Sequence, residues 1–369
     1  MLVCHIITGL GSGGAERMLT RIVSADIAGE RHFVISLMDE GIHGETIREA
    51  GVELACLGMR RGALSLSVLV RLTKLLRNRR PDVIMTWLYH ADFIGTVGAI
   101  LSGLSTRRIA WNLRCSDIDF GLYAPTTKWV VRALSHLSGL PQTVAFNSYA
   151  GRAHHEALGY KPRAWVYLPN GLDLDEWHLN NEDRGRQRQQ LGLTEKDIVV
   201  AMVARLDPQK DHSTFLSAAK LVAEARSNIK FMLVGEGVET LKIPAALDGR
   251  IQALGFRRDV QQLMQSMDVH VLSSAFGEGF PNVVCEAMAS AVPCIVTDVG
   301  DAARIVGDSG IVVPPSNPRA LADAIIQLTD EPYEKRLARG HAAREIIEQN
   351  FSITSVRKAY SGLFCELKR

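Results

Sequence analysis

Short apolar runs alternate with amphipathic segments along most of the chain. "LVCHIIT" reads as a strand, and "AERMLTRIVSADI" places apolar residues at 15, 18, 19, 22 and 23, the spacing of one helical face. "HFVISLM" and "VELACLG" are further strands, with the short helix "GETIREAG" between them, closed by Gly51. "SLSVLVRLTKLLRNR" predicts a helix stopped before Pro81. "DVIMTWL", "RRIAWNL" and "TVAFNS" follow as strands, with helices between them. Strand–helix repetition of this kind predicts a parallel sheet with helices on both faces.

The pattern breaks at 167–193, "YLPNGLDLDEWHLNNEDRGRQRQQLGL", which is polar, rich in turn residues and without strand periodicity. A domain junction is expected here. The alternation then restarts with "DIVVAMVAR", "DHSTFLSAAKLVAEA", "IKFMLVG", "IQALG", "DVQQLMQSM", "VHVLSS", "NVVCEAMAS" and "PCIVTD". The fold class is therefore α/β, as two doubly wound, Rossmann-like domains facing a central cleft. Ligands of open parallel sheets sit beyond the carboxyl ends of the strands, so the residues that follow each strand are the ones to inspect.

Composition adds little to this and excludes some classes. Of 369 residues, 47% are hydrophobic and 22% charged, ordinary for a globular enzyme. The six cysteines form no C-x-x-C pair and read as reduced thiols of a cytoplasmic protein. No basic n-region precedes the first apolar run, so no secretory signal is expected. "FIGTVGAILSGL" is too short to span a bilayer and reads as a buried helix. Charge is uneven: residues 1–169 hold 19 Lys and Arg against 13 Asp and Glu, and the remainder is net acidic. The first half either faces something anionic or carries a chance asymmetry. Nothing points to nucleic acid.

Several stretches carry candidate chemistry. Gly9, Gly11 and Gly14 in "ITGLGSGGAER" spell the G-x-G-x-x-G of a dinucleotide-binding turn, and Asp39 after the second strand suits a ribose partner. Arg205 ends a strand and Lys210 precedes a helix capped by Asp211, which makes either a diphosphate site or two solvated cations. In "SSAFGEGFPNVVCEAMA" a glycine-rich loop runs into a helix starting near Asn282. Glu278 in the loop and Glu286 on the helix can each accept two hydrogen bonds from a sugar diol. Alternatively Glu286 complements a helix start and Glu278 is a solvated loop residue. Arg114 and Asp117 follow a strand and are either acceptor-binding residues or a local ion pair. Asp173-x-Asp175 matches a metal-binding spacing but lies in the junction, and reads as turn residues. No metal and no cofactor are expected. Seven cations between Arg60 and Arg80, with Leu66, Leu69, Val70, Leu72, Leu75 and Leu76, form a basic amphipathic stretch. It either docks on an anionic membrane surface or packs on the sheet as an ordinary helix.

"ARLDPQKD", "FMLVGEG", "IQALGFRRDV", the Glu278-x7-Glu286 pair, "EAMASAVPCIVTDVG" and "GIVVPPSNPRALADAI" resemble the C-terminal domain of retaining GT-B glycosyltransferases of the GT4 type. "GGAER" and "TWLYHADFIG" match in the N-terminal half, and "FSITSVRKAY" resembles the family's final crossover helix. The resemblance covers nearly the whole chain. It implies an acceptor-side domain of 1–169 with a crossover helix 352–369, and a nucleotide-sugar domain of 170–351. It implies that Arg205 and Lys210 bind the donor diphosphate, Glu286 the ribose and Glu278 the donor sugar. Backbone from Gly279 through Phe280 and Asn282 to Val283 meets sugar hydroxyls and phosphate, the backbone at Arg257 meets the base, and His90, Gly13 and Gly14 approach the donor from the other side. The implied reaction moves a sugar from a nucleotide-sugar, with UDP the expected nucleotide, to a glycan or lipid-linked acceptor of bacterial surface polysaccharide assembly. The implied setting is the cytoplasm, peripheral on the inner face of the membrane. The chain departs from the family pattern at Asp301-Ala302-Ala303-Arg304, after "TDVG". An epimerase of the same two-domain fold, a nicotinamide-dependent oxidoreductase and a non-catalytic nucleotide-sugar-binding protein remain as alternatives at this level.

Overall fold

The computed structural model describes residues 1–60, 65–115 and 125–369. The chain divides into two compact units: Met1–Gly171 with Val356–Arg369, and Leu172–Ser355. These limits lie two and four residues beyond the 169/170 and 351/352 positions expected from the sequence.

Unit 1 is a seven-stranded sheet of β1 (Leu2–Ile7), β2 (Arg31–Ser36), β3 (Glu53–Cys56), β4 (Val83–Trp87), β5 (Ile109–Leu113), β6 (Thr143–Phe146) and β7 (Trp165–Tyr167). The order is β3-β2-β1-β4-β5-β6-β7 and every pairing is parallel. Unit 2 is a six-stranded sheet of β8 (Ile198–Val203), β9 (Ile229–Val234), β10 (Ile251–Ala253), β11 (Val269–Leu272), β12 (Cys294–Thr297) and β13 (Ile311–Val313). Its order is β10-β9-β8-β11-β12-β13, again all parallel. Both orders are the doubly wound 3-2-1-4-5-6 pattern. The order reverses between β1 and β4 in unit 1, and between β8 and β11 in unit 2, the positions at which open α/β sheets bind ligands.

The central strands are buried on both faces. All five residues of β4 and of β5 are buried, which is why these strands read as continuous apolar runs rather than alternating ones. Ile6, Ile35, Leu72, Ile84 and Trp111 belong to the unit 1 core. Met202, Phe215, Phe231, Val271 and Ile325 do the same in unit 2. Within unit 2, Leu172 donates to the Phe351 carbonyl at 2.8 Å and its own carbonyl accepts from Ile353 at 2.7 Å. The stretches that enter and leave this unit are thus pinned to each other.

The polar junction contains more structure than its sequence pattern shows. β7 has three residues and lies at the sheet edge, too short for a periodicity signal. The helix Asn181–Gln190 is capped by Asn180, whose side chain accepts from Glu182 and Asp183. It is held by ions rather than by an apolar stripe. Arg184 and Arg188 donate to the two carboxylate oxygens of Asp268 at 2.6 and 3.2 Å. Asp173 accepts the Asp175 N–H at 3.0 Å, so the D-x-D closes a local turn.

The basic helix, Leu66–Arg79, packs on the sheet as an ordinary surface helix does. Val68, Leu72 and Leu76 are buried against the core and Leu69 and Leu75 pack beside them. Of the apolar face expected from the sequence, Leu66 and Val70 remain exposed, next to the exposed Arg71, Lys74 and Arg77. Arg61 lies outside the described residues. No described helix is long and apolar enough to cross a membrane.

Candidate active site

The loops at the carboxyl ends of β8, β9 and β10 are knit to one another. Ala204 donates to Val234 at 2.8 Å, Leu206 to Glu236 at 2.7 Å and Gly235 to Gly255 at 2.8 Å. Gly235 has φ +149°, and a Cβ there would lie 2.1 Å from the Ala204 carbonyl. Only glycine lets the β9 end approach the start of the Arg205 loop so closely. The following turn is fixed by Asp207, which accepts from Gln209 at 2.9 Å, and the next helix is capped by Asp211, which accepts from Thr214 at 3.1 Å.

Lys210 comes out of this loop and meets Glu278 from the loop after β11, with Nζ–Oε1 at 2.5 Å. The pair therefore sits at the switch point of the unit 2 sheet. The two side chains are 16% and 6% exposed. Ser274 Oγ also donates to Glu278 Oε1 at 2.5 Å, and Ser273 Oγ donates to the Lys210 carbonyl at 2.9 Å. Both partners are thus fixed from the end of β11. The next β12 loop braces the site from below. Asp301 N donates to the Gly279 carbonyl at 3.0 Å. Gly300 has φ +62°, and a Cβ there would lie 2.2 Å from the Glu278 carbonyl oxygen. The Asp301–Arg304 segment that departs from the family pattern is the support of the Glu278 loop.

The helix Asn282–Ala289 starts directly after this loop. Its cap residue, Pro281, supplies no side-chain hydrogen bond, and its first turn holds no acid. Val284 and Cys285 donate to the Pro281 carbonyl at 3.1 and 3.5 Å, and the positive end of the helix dipole at this start favours an anion. Glu286 is the fifth helical residue and half-buried, beyond the first turn where dipole complementation acts. That removes the simplest structural reason for an acid there. Phe280 turns its ring inward, edge-on to Phe351 at 5.4 Å, so its backbone is what it presents. Asn282 is exposed and Val283 half-buried.

Arg205 and Arg257 are placed differently from Lys210. The Arg205 side chain is 62% exposed and forks onto Asp207 at 2.8 and 3.1 Å. Arg257, in the loop after β10, forks onto Asp259 at 2.6 and 2.8 Å, and those hydrogen bonds raise its pKa. Both lie at strand carboxyl ends and each is paired with an acid two residues on. Sequence reasoning did not single out Ser274, Asp207 or Asp259, although all three stand inside the quoted stretches.

In unit 1 the switch point lies between the ends of β1 and β4. Gly13 and Gly14 follow β1, and His90 follows β4. Gly13 precedes the helix Gly14–Val23 without side-chain capping, and the Glu16 carboxylate folds back over it, 2.3 Å from where a Gly13 Cβ would stand. A Cβ on Gly14 would meet nothing within 4 Å. The third glycine of a dinucleotide fingerprint is needed for close helix–strand packing, and that packing is absent here. The letters match and the geometry that makes them a nicotinamide site does not. His90 is buried at the start of the helix Tyr89–Leu101, and Nε2 has no partner among the described residues. Burial lowers its pKa, so the ring is neutral at pH 7. Leu88, just before, is held at φ +72°, ψ 154°, a strained conformation for a residue other than glycine. Arg114 lies at the end of β5, and Asp117 lies outside the described residues.

Two Rossmann-like units, with a cation–carboxylate pair at the switch point of the second, have the architecture of a GT-B glycosyltransferase. Residues 12–176 match the family described as Glycosyltransferase Family 4, and residues 197–331 match Glycosyl transferases group 1. The chain belongs to that glycosyltransferase family. It is 25% identical over 286 residues to a UDP-Gal:alpha-D-GlcNAc-diphosphoundecaprenol alpha-1,3-galactosyltransferase of Escherichia coli, covering 71% of this chain and 70% of the relative. It is also 25% identical over 341 residues to an N,N'-diacetylbacillosaminyl-diphospho-undecaprenol alpha-1,3-N-acetylgalactosaminyltransferase of Campylobacter jejuni, covering 88% of this chain and 89% of the relative. Crystal structures of Anabaena HepE, in complex with UDP and with UDP-glucose, superpose with TM-scores of 0.83 and 0.76 at 21% identity. The first covers 99% of this chain and 100% of HepE, the second 98% and 99%. At that identity the likeness is one of fold.

Proposed function

We propose that this glycosyltransferase takes a UDP-sugar as donor and transfers the sugar, with retention at the anomeric carbon, to a lipid-linked or glycan acceptor of surface polysaccharide assembly. The observation that carries this reading is the Lys210–Glu278 pair at the switch point of the unit 2 sheet, beside the start of the helix Asn282–Ala289. The names of the E. coli and C. jejuni relatives, both acting on diphosphoundecaprenol acceptors, and the UDP of HepE support it.

In this reading Lys210, Arg205 and the N–H groups around Gly279, Phe280, Asn282 and Val283 hold the donor diphosphate, with Arg205 exchanging Asp207 for phosphate. Glu278 holds the donor sugar, Glu286 the ribose, and the backbone at Arg257 the base. His90, Gly13 and Gly14 serve the donor from unit 1. The bond from the anomeric carbon to the diphosphate oxygen breaks, and its electron pair goes to the leaving diphosphate. Fixed cations and N–H dipoles stabilise that growing charge in the transition state. The acceptor hydroxyl attacks the face the diphosphate leaves, and a donor phosphate oxygen takes its proton. Arg205 and Lys210 supply the positive charge, so the reading calls for no metal and no cofactor.

An epimerase would use the same donor grip without an acceptor. The two are separated by analysing the products of a UDP-sugar incubated with a diphospholipid acceptor. A glycosylated lipid whose anomeric proton coupling matches the donor's supports the proposal. An inverted coupling contradicts retention, and a free epimerised nucleotide-sugar contradicts transfer. The setting proposed is the inner face of the cytoplasmic membrane, supported by exposed Leu66, Val70, Ile100 and Leu101 near the cations of Leu66–Arg79.

A further inference from the structure

Arg114 stands one residue past β5, on the carboxyl edge of the unit 1 sheet. The residues around it come from the same edge: Trp87 ends β4, Asn147 follows β6, Asn170 follows β7, and Tyr360 comes from the helix Ile353–Lys368. Nε donates to Asn112 Oδ1 at 3.0 Å, Nη1 to Asn170 Oδ1 at 2.7 Å, and Nη2 to the Tyr360 hydroxyl oxygen. The guanidinium also lies over the Trp87 and Tyr360 rings, 5.3 and 5.9 Å from their centroids. Trp87 and Tyr360 stack on each other with 6° between their planes.

This cluster has donors in excess. A guanidinium offers five N–H groups, and three are used among the described residues. Tyr360 accepts a second time, from Asn112 Nδ2 at 3.1 Å, which directs its own proton away from both donors. Among the described residues no carboxylate pairs with Arg114. Burial lowers its pKa to about 9, so the charge persists at neutral pH. A largely desolvated cation held by neutral acceptors alone is costly unless an anion completes it. The residue keeps partial solvent access, so an anion can reach it. The two N–H groups unused among the described residues, one on each terminal nitrogen, are the kind of fork that binds phosphate oxygens.

We infer that Arg114, seated by Asn112, Asn170 and Tyr360, is an anion site of unit 1 that binds the diphosphate of the acceptor. The inference rests on the proposed reading of a lipid-linked diphosphate acceptor. It also gives the C-terminal helix a role in the acceptor site through Tyr360, which holds Arg114 in place.

The test separates this site from the donor grip. Inorganic pyrophosphate is titrated calorimetrically into the full chain carrying Lys210→Ala, which weakens the grip in unit 2, and into the same variant carrying Arg114→Gln or Arg114→Lys. Loss of affinity by at least ~10-fold with Arg114→Gln supports the site. Arg114→Lys keeps the charge and loses the fork, and a loss of at least ~3-fold is expected; it decides the matter if the glutamine variant does not fold. Equal affinities in all three proteins overturn the inference. Zwitterionic vesicles with and without a polyprenyl diphosphate give the second arm. Capture of the doped vesicles alone, dependent on Arg114, assigns the site to a lipid-linked diphosphate, and capture independent of Arg114 overturns that. UDP titrated into the unsubstituted chain reports separately on the donor reading, which can fail while the Arg114 result stands.

Discussion

Lys210 and Glu278 meet at 2.5 Å although 68 residues separate them in the chain. They meet because β8 and β11 are neighbours at the point where the strand order reverses, and both loops leave the same edge. The pair is nearly buried, so its two members depend on each other. Lys210→Ala leaves the Glu278 carboxylate with Ser274 as its side-chain partner among the described residues, and stability falls by about 1–3 kcal/mol. The double variant Lys210→Met with Glu278→Gln recovers most of that loss, while sugar transfer stays at least about 10²-fold down. Urea unfolding read beside a transfer assay checks both halves. Recovery of transfer together with stability would show the pair to be structural.

Gly300→Ala tests the brace under the site. The added Cβ lies 2.2 Å from the Glu278 carbonyl in a backbone conformation L-residues disfavour. The expected cost is about 1–3 kcal/mol, with weakened UDP-sugar turnover because Glu278 shifts. A variant with wild-type melting temperature and turnover contradicts the role given to this loop.

How much of this is legible in the chain depends on whether the signal is local. The two sheets were readable because buried parallel strands make continuous apolar runs, as in β4 and β8. Lys210 and Glu278 could be singled out as candidates because each lies in the loop after a strand end, and the two loops bring them together. The helix Asn181–Gln190 was not, since Arg184, Arg188 and Asp268 hold it in place of an apolar stripe. Leu66–Arg79 carried a pattern that fits both a membrane face and a sheet-packed helix; Leu72 and Leu76 are buried in the core, while Leu66 and Val70 stay exposed on the outer face beside its cations. Arg114 read as either an acceptor-binding residue or half of a turn ion pair with Asp117, which lies outside the described residues. Of its described partners Asn112 is two residues away, but Asn170 and Tyr360 are 56 and 246 residues away, beyond any local pattern.

Acid lability should come from buried imidazoles. Burial lowers the pKa of His155 to about 4 and that of His270 to about 3, with nearby Lys210 adding to the effect at His270. Below pH 6.5 the unfolded chain binds protons that the folded chain refuses, so stability is present above pH 6.5 and is lost as pH falls toward 4 and then 3. His155 alone accounts for about 3 kcal/mol across that window. Both ring nitrogens of His270 lack partners among the described residues, so His270→Leu removes its titration at little structural cost. Unfolding measured from pH 7 to pH 4 should show a shallower loss in that variant, and a profile parallel to wild type contradicts the assignment.

Membrane contact makes a separate prediction. Vesicles rich in anionic lipid should sediment the protein at low salt and release it as salt rises, since screening weakens the attraction of Arg71, Lys74 and Arg77. Replacing these three by Glu should abolish sedimentation and leave the fold intact, because all three are exposed. Failure of the unsubstituted protein to sediment rules the surface out.

The donor grip is the centre of the account, and Arg205 tests it with the least structural interference. Its side chain is 62% exposed and pairs with Asp207 alone among the described residues, so Arg205→Ala should change stability by no more than about 0.5 kcal/mol. The decisive measurement is the thermal shift produced by UDP in the unsubstituted chain, in Arg205→Ala and in Lys210→Ala. UDP at 100 times its dissociation constant should stabilise the unsubstituted chain by about 2.7 kcal/mol, and at that same concentration most of the shift should vanish in both variants. A UDP shift that survives both substitutions, or no UDP shift in the unsubstituted chain, contradicts the placement of the donor in unit 2.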